Sequence, residues 1–146
     1  MKGENYLKTE FPGKSVNEGL ARSICGAFAA QLDPTLEELG DLKTAVSEAV
    51  TNAIVHAYPD SIGKVSLRCR ILGEDVLEIQ IRDWGKGIED VKKAREPLFT
   101  TGGEERSGMG FTIMESFTDR LTVRSKPGRG TTVTLRRRLP QRSSNP

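Results

Sequence analysis

Histidine occurs once and cysteine only twice in this chain of 146 residues. Cys25 and Cys69 have no CxxC spacing and no companion cluster, so a zinc site has too few ligands to be built. An excess of one charge is missing as well. The net charge is only +2, which argues against a nucleic-acid-binding field spread over the whole surface. No apolar run reaches the roughly 18 residues of a membrane span, and no signal-like segment is found. With two isolated thiols, these absences give the expectation of a reducing, cytoplasmic setting, without membrane or direct nucleic-acid contact. No internal repeat, linker or low-complexity stretch precedes Pro140.

What is present is ordinary for a soluble globular chain: 36% hydrophobic and 29% charged residues. A chain of this length fits one domain and can bury roughly 70% of its unfolded surface. We expect one domain over residues 1–139 and a flexible basic tail over 140–146. Basic residues gather late, at Arg136, Arg137, Arg138 and Arg142. They read as a solvated strand end and frayed tail, with partner or nucleic-acid contact as the alternative.

Weak alternation predicts a first strand over residues 5–11, ended by Pro12-Gly13. Residues 16–32 carry apolar side chains at Leu20, Ile24, Ala27 and Phe28, a helical period in which Cys25 reads as a small buried hydrophobe. Asp33 is placed as the cap of a second helix, Pro34 at its first position, and Glu37 and Glu38 in its first turn. That helix is expected to run to about Ala57 with Leu39, Leu42, Val46, Ala49 and Ala53 as its core stripe. Glu48, Asn52 and His56 each fall about 40° further round, at the border of the stripe, where a cleft is lined. Strands over 65–72 and 76–82 form a hairpin around Gly73, followed by a short helix over 91–95. A helix over 109–117 and strands over 120–125 and 131–138 close the chain. Helices grouped against a mainly antiparallel sheet make an α+β fold, a two-layer sandwich.

Three segments carry chemistry. A site that transfers a phosphoryl group needs a metal ligand, donors for phosphate charge, and a group to orient the nucleophile. Asn52 has an amide oxygen suited to Mg²⁺, and Glu48, one turn earlier, a carboxylate able to accept a proton; both also suit a solvated helix face. Asp83 stands at a strand end, where a carboxylate can accept from an exocyclic amine. Gly85 and Gly87 behind it would let backbone lie against a base, or simply make a tight turn. Ser107-Gly-Met-Gly110 at a helix start supplies N–H groups to phosphates, but it is no Walker A loop because no Gly-Lys-Ser/Thr follows. Gly130-Thr131-Thr132 by itself is a turn.

In combination these segments say more. Glu48/Asn52, Asp83/Gly85/Gly87, Gly108/Gly110 and Gly130/Thr131 stand in the order of the four nucleotide-binding boxes of the Bergerat-fold (GHKL) ATP-binding family, which the chain resembles over nearly its whole length. It resembles most the anti-sigma serine kinases of sporulation. The matching stretches are Ser47-Glu-Ala-Val-Thr-Asn-Ala-Ile-Val-His-Ala-Tyr58, Pro97-Leu-Phe-Thr-Thr101 and Glu105-Arg-Ser-Gly-Met-Gly-Phe-Thr-Ile-Met114.

That resemblance implies ATP or ADP with Mg²⁺ as ligands. Asn52 would hold Mg²⁺, Asp83 would read the adenine amine, and Thr131 would support it through water. Ser107, Gly108, Met109 and Gly110 would line the phosphates, and Glu48 would be the catalytic base. Residues 97–106 would form a lid, with Thr100, Thr101 and Arg106 on the phosphates. The lid departs from the pattern, with Gly102-Gly103 where relatives often carry a lysine, and it is slightly shorter. Arg22 would grip the sigma factor and its antagonist, and His56 is expected to be structural.

The implied activity is twofold: holding a sporulation sigma factor, and phosphorylating a serine of an anti-anti-sigma protein with ATP. A homodimer is implied as well, for which the first strand has an edge free to pair. The alternative is an ATP-responsive sigma-binding module with negligible kinase activity. A histidine kinase is disfavoured, since no helical hairpin bears a phospho-accepting histidine and His56 lies in the nucleotide helix.

Overall fold

The computed structural model describes residues 5–96 and 105–140, with the backbone alone for residues 105–108. Strands β1 (Tyr6–Pro12), β2 (Lys64–Leu72), β3 (Val76–Asp83), β4 (Arg120–Lys126) and β5 (Gly130–Arg138) form one sheet. Its order is β1-β2-β3-β5-β4, and every neighbouring pair is antiparallel. Side chains alternate across such a sheet, so one face is sorted from the other by composition. Leu67, Cys69, Leu77, Ile79, Ile81, Val133 and Leu135 are buried on the inner face. Their register neighbours Arg68, Arg70, Glu78, Gln80, Thr134 and Arg136 point the other way.

Helices α1 (Val16–Ala29), α2 (Leu36–Thr51), α3 (Val91–Arg95) and α4 (Glu105–Ser116) supply the second layer, with α2 between α1 and α4. α2 contributes Leu42, Ala45, Val46, Ala49 and Val50 to the core, and each large aliphatic chain buried there is worth about 1.5–3 kcal/mol. The predicted α+β sandwich with its helices on one face is the observed architecture.

Local details differ from the sequence reading. The N-cap of α2 is Thr35, not Asp33: Thr35 Oγ1 accepts from the Glu38 N–H at 3.0 Å, and Glu38 Oε1 accepts from the Thr35 N–H at 2.9 Å. This reciprocal pair satisfies two end donors at once, while Asp33 takes a left-handed backbone, φ 51°, that ends the preceding turn. On α1 the buried stripe is Ala21, Cys25, Phe28 and Ala29. Leu20 and Ala27 face solvent instead, because the helix is rotated to seat Cys25 against β2. Finally, the α-helix stops at Thr51, and Asn52–His56 form a wider π-turn closed by the Ala57 N–H to Asn52 carbonyl bond at 3.0 Å.

Candidate functional site

The site begins with that π-turn. Single-turn π insertions often accompany functional positions, because the extra residue re-aims the side chains that follow. Here Asn52 and His56 both line a cavity of about 580 Å³ between the helical layer and the ends of β3 and β5. Its apolar wall is made by Ala49, Ala53, Ile81, Ile88, Phe111 and Val133, and its polar groups include Asp83 and Thr131. Asn52 and Asp83, 31 positions apart in sequence by their residue numbers, therefore face one space.

Asp83 is the last residue of β3 and is 5% exposed. Its Oδ1 accepts from the Gly85 N–H at 2.9 Å and from the Thr131 N–H at 3.2 Å, and Oδ2 has no hydrogen bond among the described residues. Burial pushes its carboxyl above the usual range, and the two N–H donors only partly offset that. A buried, fixed acceptor is thus available on the cavity wall.

Thr131 completes the wall. Ser125 Oγ donates to the Gly130 carbonyl at 3.0 Å, so its one hydrogen is used, and the 2.8 Å contact with Thr131 Oγ1 has Thr131 as donor. Ser125 also accepts from the Ile88 N–H at 2.7 Å. This serine, which ties the loop after β3 to the turn before β5, was missed by sequence reasoning. A serine near the end of an edge strand gives no signal of such a role.

The paired glycines have a different task from the one expected. A Cβ at Gly85 would run into the Ala57 carbonyl oxygen, and one at Gly87 into the Lys126 carbonyl oxygen. The space left by the missing side chains is filled by the protein's own backbone, which lets the loop close against the π-turn and the β4–β5 turn. Gly87 nonetheless lines the cavity, whereas Gly85 does not. The loop is locked further by the Lys86 N–H to Ala57 carbonyl bond at 2.9 Å and the Gly128 N–H to Lys86 carbonyl bond at 2.7 Å.

The glycine-rich stretch also shifts. α4 begins at Glu105, so Gly110 lies inside the helix and its N–H is not among the free end donors. A Cβ on Gly110 would stand 3.2 Å from Glu48 Oε1 and 3.5 Å from Asn52 Nδ2. That Asn52 Nδ2 is buried without a hydrogen-bond partner among the described residues, an uncommon state for a native amide. Glu48 and Asn52 thus meet α4 at a position where no side chain intervenes. The Asn52 Oδ1, 3.6 Å from the Cβ that Gly110 lacks, and the Glu48 carboxylate are oxygen donors that fit a hard cation such as Mg²⁺, while the unpartnered Nδ2 is a hydrogen-bond donor that fits an acceptor such as a phosphate oxygen.

Of the other predicted residues, Met109 is 57% exposed on α4. Arg22 lies apart from the cavity on α1, exposed, and donates to Glu18 at 3.1 Å and to Ser47 of α2 at 3.2 Å. Thr100 and Thr101, with Gly102-Gly103 of the lid, lie outside the described residues, as do the side chains of Arg106 and Ser107 and any contacts of Gly108.

Residues 11–137 match the histidine kinase-like ATPase domain family. The anti-sigma F factor of Caldanaerobacter subterraneus subsp. tengcongensis is 55% identical over 136 residues, 92% of this chain and 94% of that one. The anti-sigma F factor of Clostridium perfringens strain SM101 is 51% identical over 137 residues, 93% and 98% of the two chains. Among solved structures, the RsbU and RsbW domains of Rv1364c from Mycobacterium tuberculosis superpose with a TM-score of 0.68 at 19% identity, over 92% of this chain and 32% of that one. The blue-light activated histidine kinase EL346 of Erythrobacter litoralis shares the fold at a TM-score of 0.61, with 24% identity over 87% and 42% of the two chains. With a matched domain spanning most of its length and relatives more than half identical, the chain belongs to the histidine kinase-like (GHKL) ATPase domain family, in the company of the anti-sigma F factors.

Proposed function

We propose that the protein is an anti-sigma factor that holds a sporulation sigma factor and uses ATP to phosphorylate a serine of an anti-anti-sigma protein. One observation carries the reading: Asn52, Asp83 and Thr131 line a single cavity, with Glu48 against Gly110 at the Asn52 end. Asp83 Oδ2 accepts from the adenine amine, and Thr131 supports the same edge through water. Asn52 offers its amide oxygen to Mg²⁺, which supplies neutralisation of the phosphate charge when bound. Gly108 and Gly110, with Ser107 and Met109, leave room for the phosphates, and Thr100, Thr101 and Arg106 close over them.

Glu48 takes the proton of the attacking serine hydroxyl. The serine oxygen bonds to the terminal phosphorus of ATP as the bond to the ADP oxygen breaks. The new phosphoserine, bearing nearly two negative charges, is expelled by repulsion and desolvation cost at the contact surface. Arg22 is the grip on sigma factor and antagonist, and retained ADP favours the unmodified antagonist. The protein pairs as a homodimer through β1, an edge strand of the sheet. Light scattering of the purified chain should give twice the monomer mass, and a monomer at micromolar concentration would rule the pairing out.

The decisive assay incubates the protein with ATP-Mg²⁺ and its antagonist and looks for phosphoserine by mass spectrometry. Glu48→Ala is expected to lower transfer by about a hundredfold or more while leaving ATP affinity within a few fold. Full transfer by that variant removes the base assignment. Nucleotide and sigma binding without any labelled antagonist would instead support a nucleotide-responsive module.

A further inference from the structure

The sheet face turned away from the helices holds a second, shallow cleft of about 310 Å³, lined by Arg68, Arg70, Arg120, Arg124 and Arg136 around one carboxylate, Glu78. Glu78 is 1% exposed and is saturated: Arg68 reaches it at 3.1 Å, Arg70 at 2.5 Å and Arg136 at 2.7 Å. Arg120 and Arg124 have no carboxylate partner among the described residues. Among the described residues that line it, this cleft therefore sets five guanidiniums against one carboxylate, in a chain whose total charge is +2. Register extends the patch, since Arg82 stands across from Thr132, and Thr132 from Arg124.

A central carboxylate bound by three guanidiniums fixes the planes of those side chains, and fixed forks suit further carboxylates better than free ones. We propose that this face is a docking surface for an acidic segment of a partner protein, separate from the nucleotide cavity and independent of the kinase reading. Charge complementarity selects that occupant. A second copy stacked face to face would set one positive cleft against another. Single-stranded nucleic acid binds where aromatic side chains give its bases a platform; the cleft lining contains none, and of the aromatics at its margin Trp84 is already stacked by Arg82 and Lys64, which leaves Tyr6 across from Arg70. Gln80, Thr122 and Thr134 lie between the arginines and offer hydrogen bonds to a peptide backbone.

The test titrates the full chain with fluorescein-labelled poly-glutamate, and in parallel with labelled polythymidylate, by fluorescence anisotropy. Poly-glutamate is expected to bind saturably and more tightly than polythymidylate, with affinity falling as salt rises. The double variant Arg120→Glu/Arg124→Glu is expected to lose about tenfold or more in affinity for poly-glutamate, with ATP affinity and thermal midpoint unchanged. Arg120→Lys/Arg124→Lys should keep most of the binding. No binding of poly-glutamate, equal binding by the charge-reversed variant, or preference for polythymidylate overturns the proposal. So does loss of self-association in the charge-reversed variant, which assigns the face to a second copy.

Discussion

Asp83 carries opposite demands as a single residue. Its carboxyl is pushed up by burial, so the ionised form costs stability at neutral pH. A carboxyl raised in the folded state favours folding below its unfolded value and loses that contribution as pH rises through the folded one. Asp83→Asn removes the charge and keeps an oxygen for the Gly85 and Thr131 N–H groups, but it places an NH₂ where Oδ2 stood. We expect the free variant to be as stable as the parent or more so at pH 7, the difference closing below about pH 4. If Asp83 reads the adenine amine as proposed, donor would face donor there, and ATP affinity should fall by about a hundredfold. Urea unfolding against pH and calorimetric titration measure the two effects. An unstable variant that still bound ATP would contradict both. Asp83 was legible in the sequence because it ends an alternating strand. Ser125 was not, because its partners at Ile88, Gly130 and Thr131 meet only once the strands pair.

Among the elements, the loop after β3 and the π-turn define the cavity by touching each other. Gly85→Ala forces a methyl group into the Ala57 carbonyl, which has no flexible end to yield. The expected cost is about 2–4 kcal/mol, and nucleotide affinity should drop with it, because the turn carries Asn52 and His56. Gly73→Ala is the control: unlike Gly85 it has a positive φ, 62°, but nothing lies within 4 Å of its would-be Cβ. That variant should lose only about 1 kcal/mol and bind ATP normally. Thermal scans with and without ATP decide between them, and equal losses in the two variants would refute the contact. The helix, strand and hairpin order was readable from periodicity and turn residues. The widening at Asn52 was not, since no local residue type demands it, and the glycine pair, read as backbone lying against a base or as a tight turn, packs instead against the carbonyls of Ala57 and Lys126.

Across the whole molecule, two carboxyls respond to acid in opposite directions. Burial works to raise the Glu78 carboxyl, but the hydrogen bonds and charges of Arg70 and Arg136 outweigh it and hold the group below its usual 4.5. Its contribution is therefore present above pH 4.5 and lost as pH falls through the lower folded value. Glu78→Gln should cost about 2 kcal/mol at pH 7, because three arginines lose their shared counter-charge, and the gap should narrow toward acid. Parallel pH profiles for parent and variant would disprove that cause. The alternation that sorted the sheet's faces was visible in the sequence, but the arginines of β2, β4 and β5 are spread over nearly 70 positions, and only the antiparallel register gathers them. The two thiols have a consequence of their own. Cys25 of α1 and Cys69 of β2 are fully buried with their sulfurs 3.7 Å apart, and the chain has no other cysteine. An alkylating reagent can reach them only when helix and sheet separate, so the rate of alkylation is a built-in clock for global opening, readable without any introduced label.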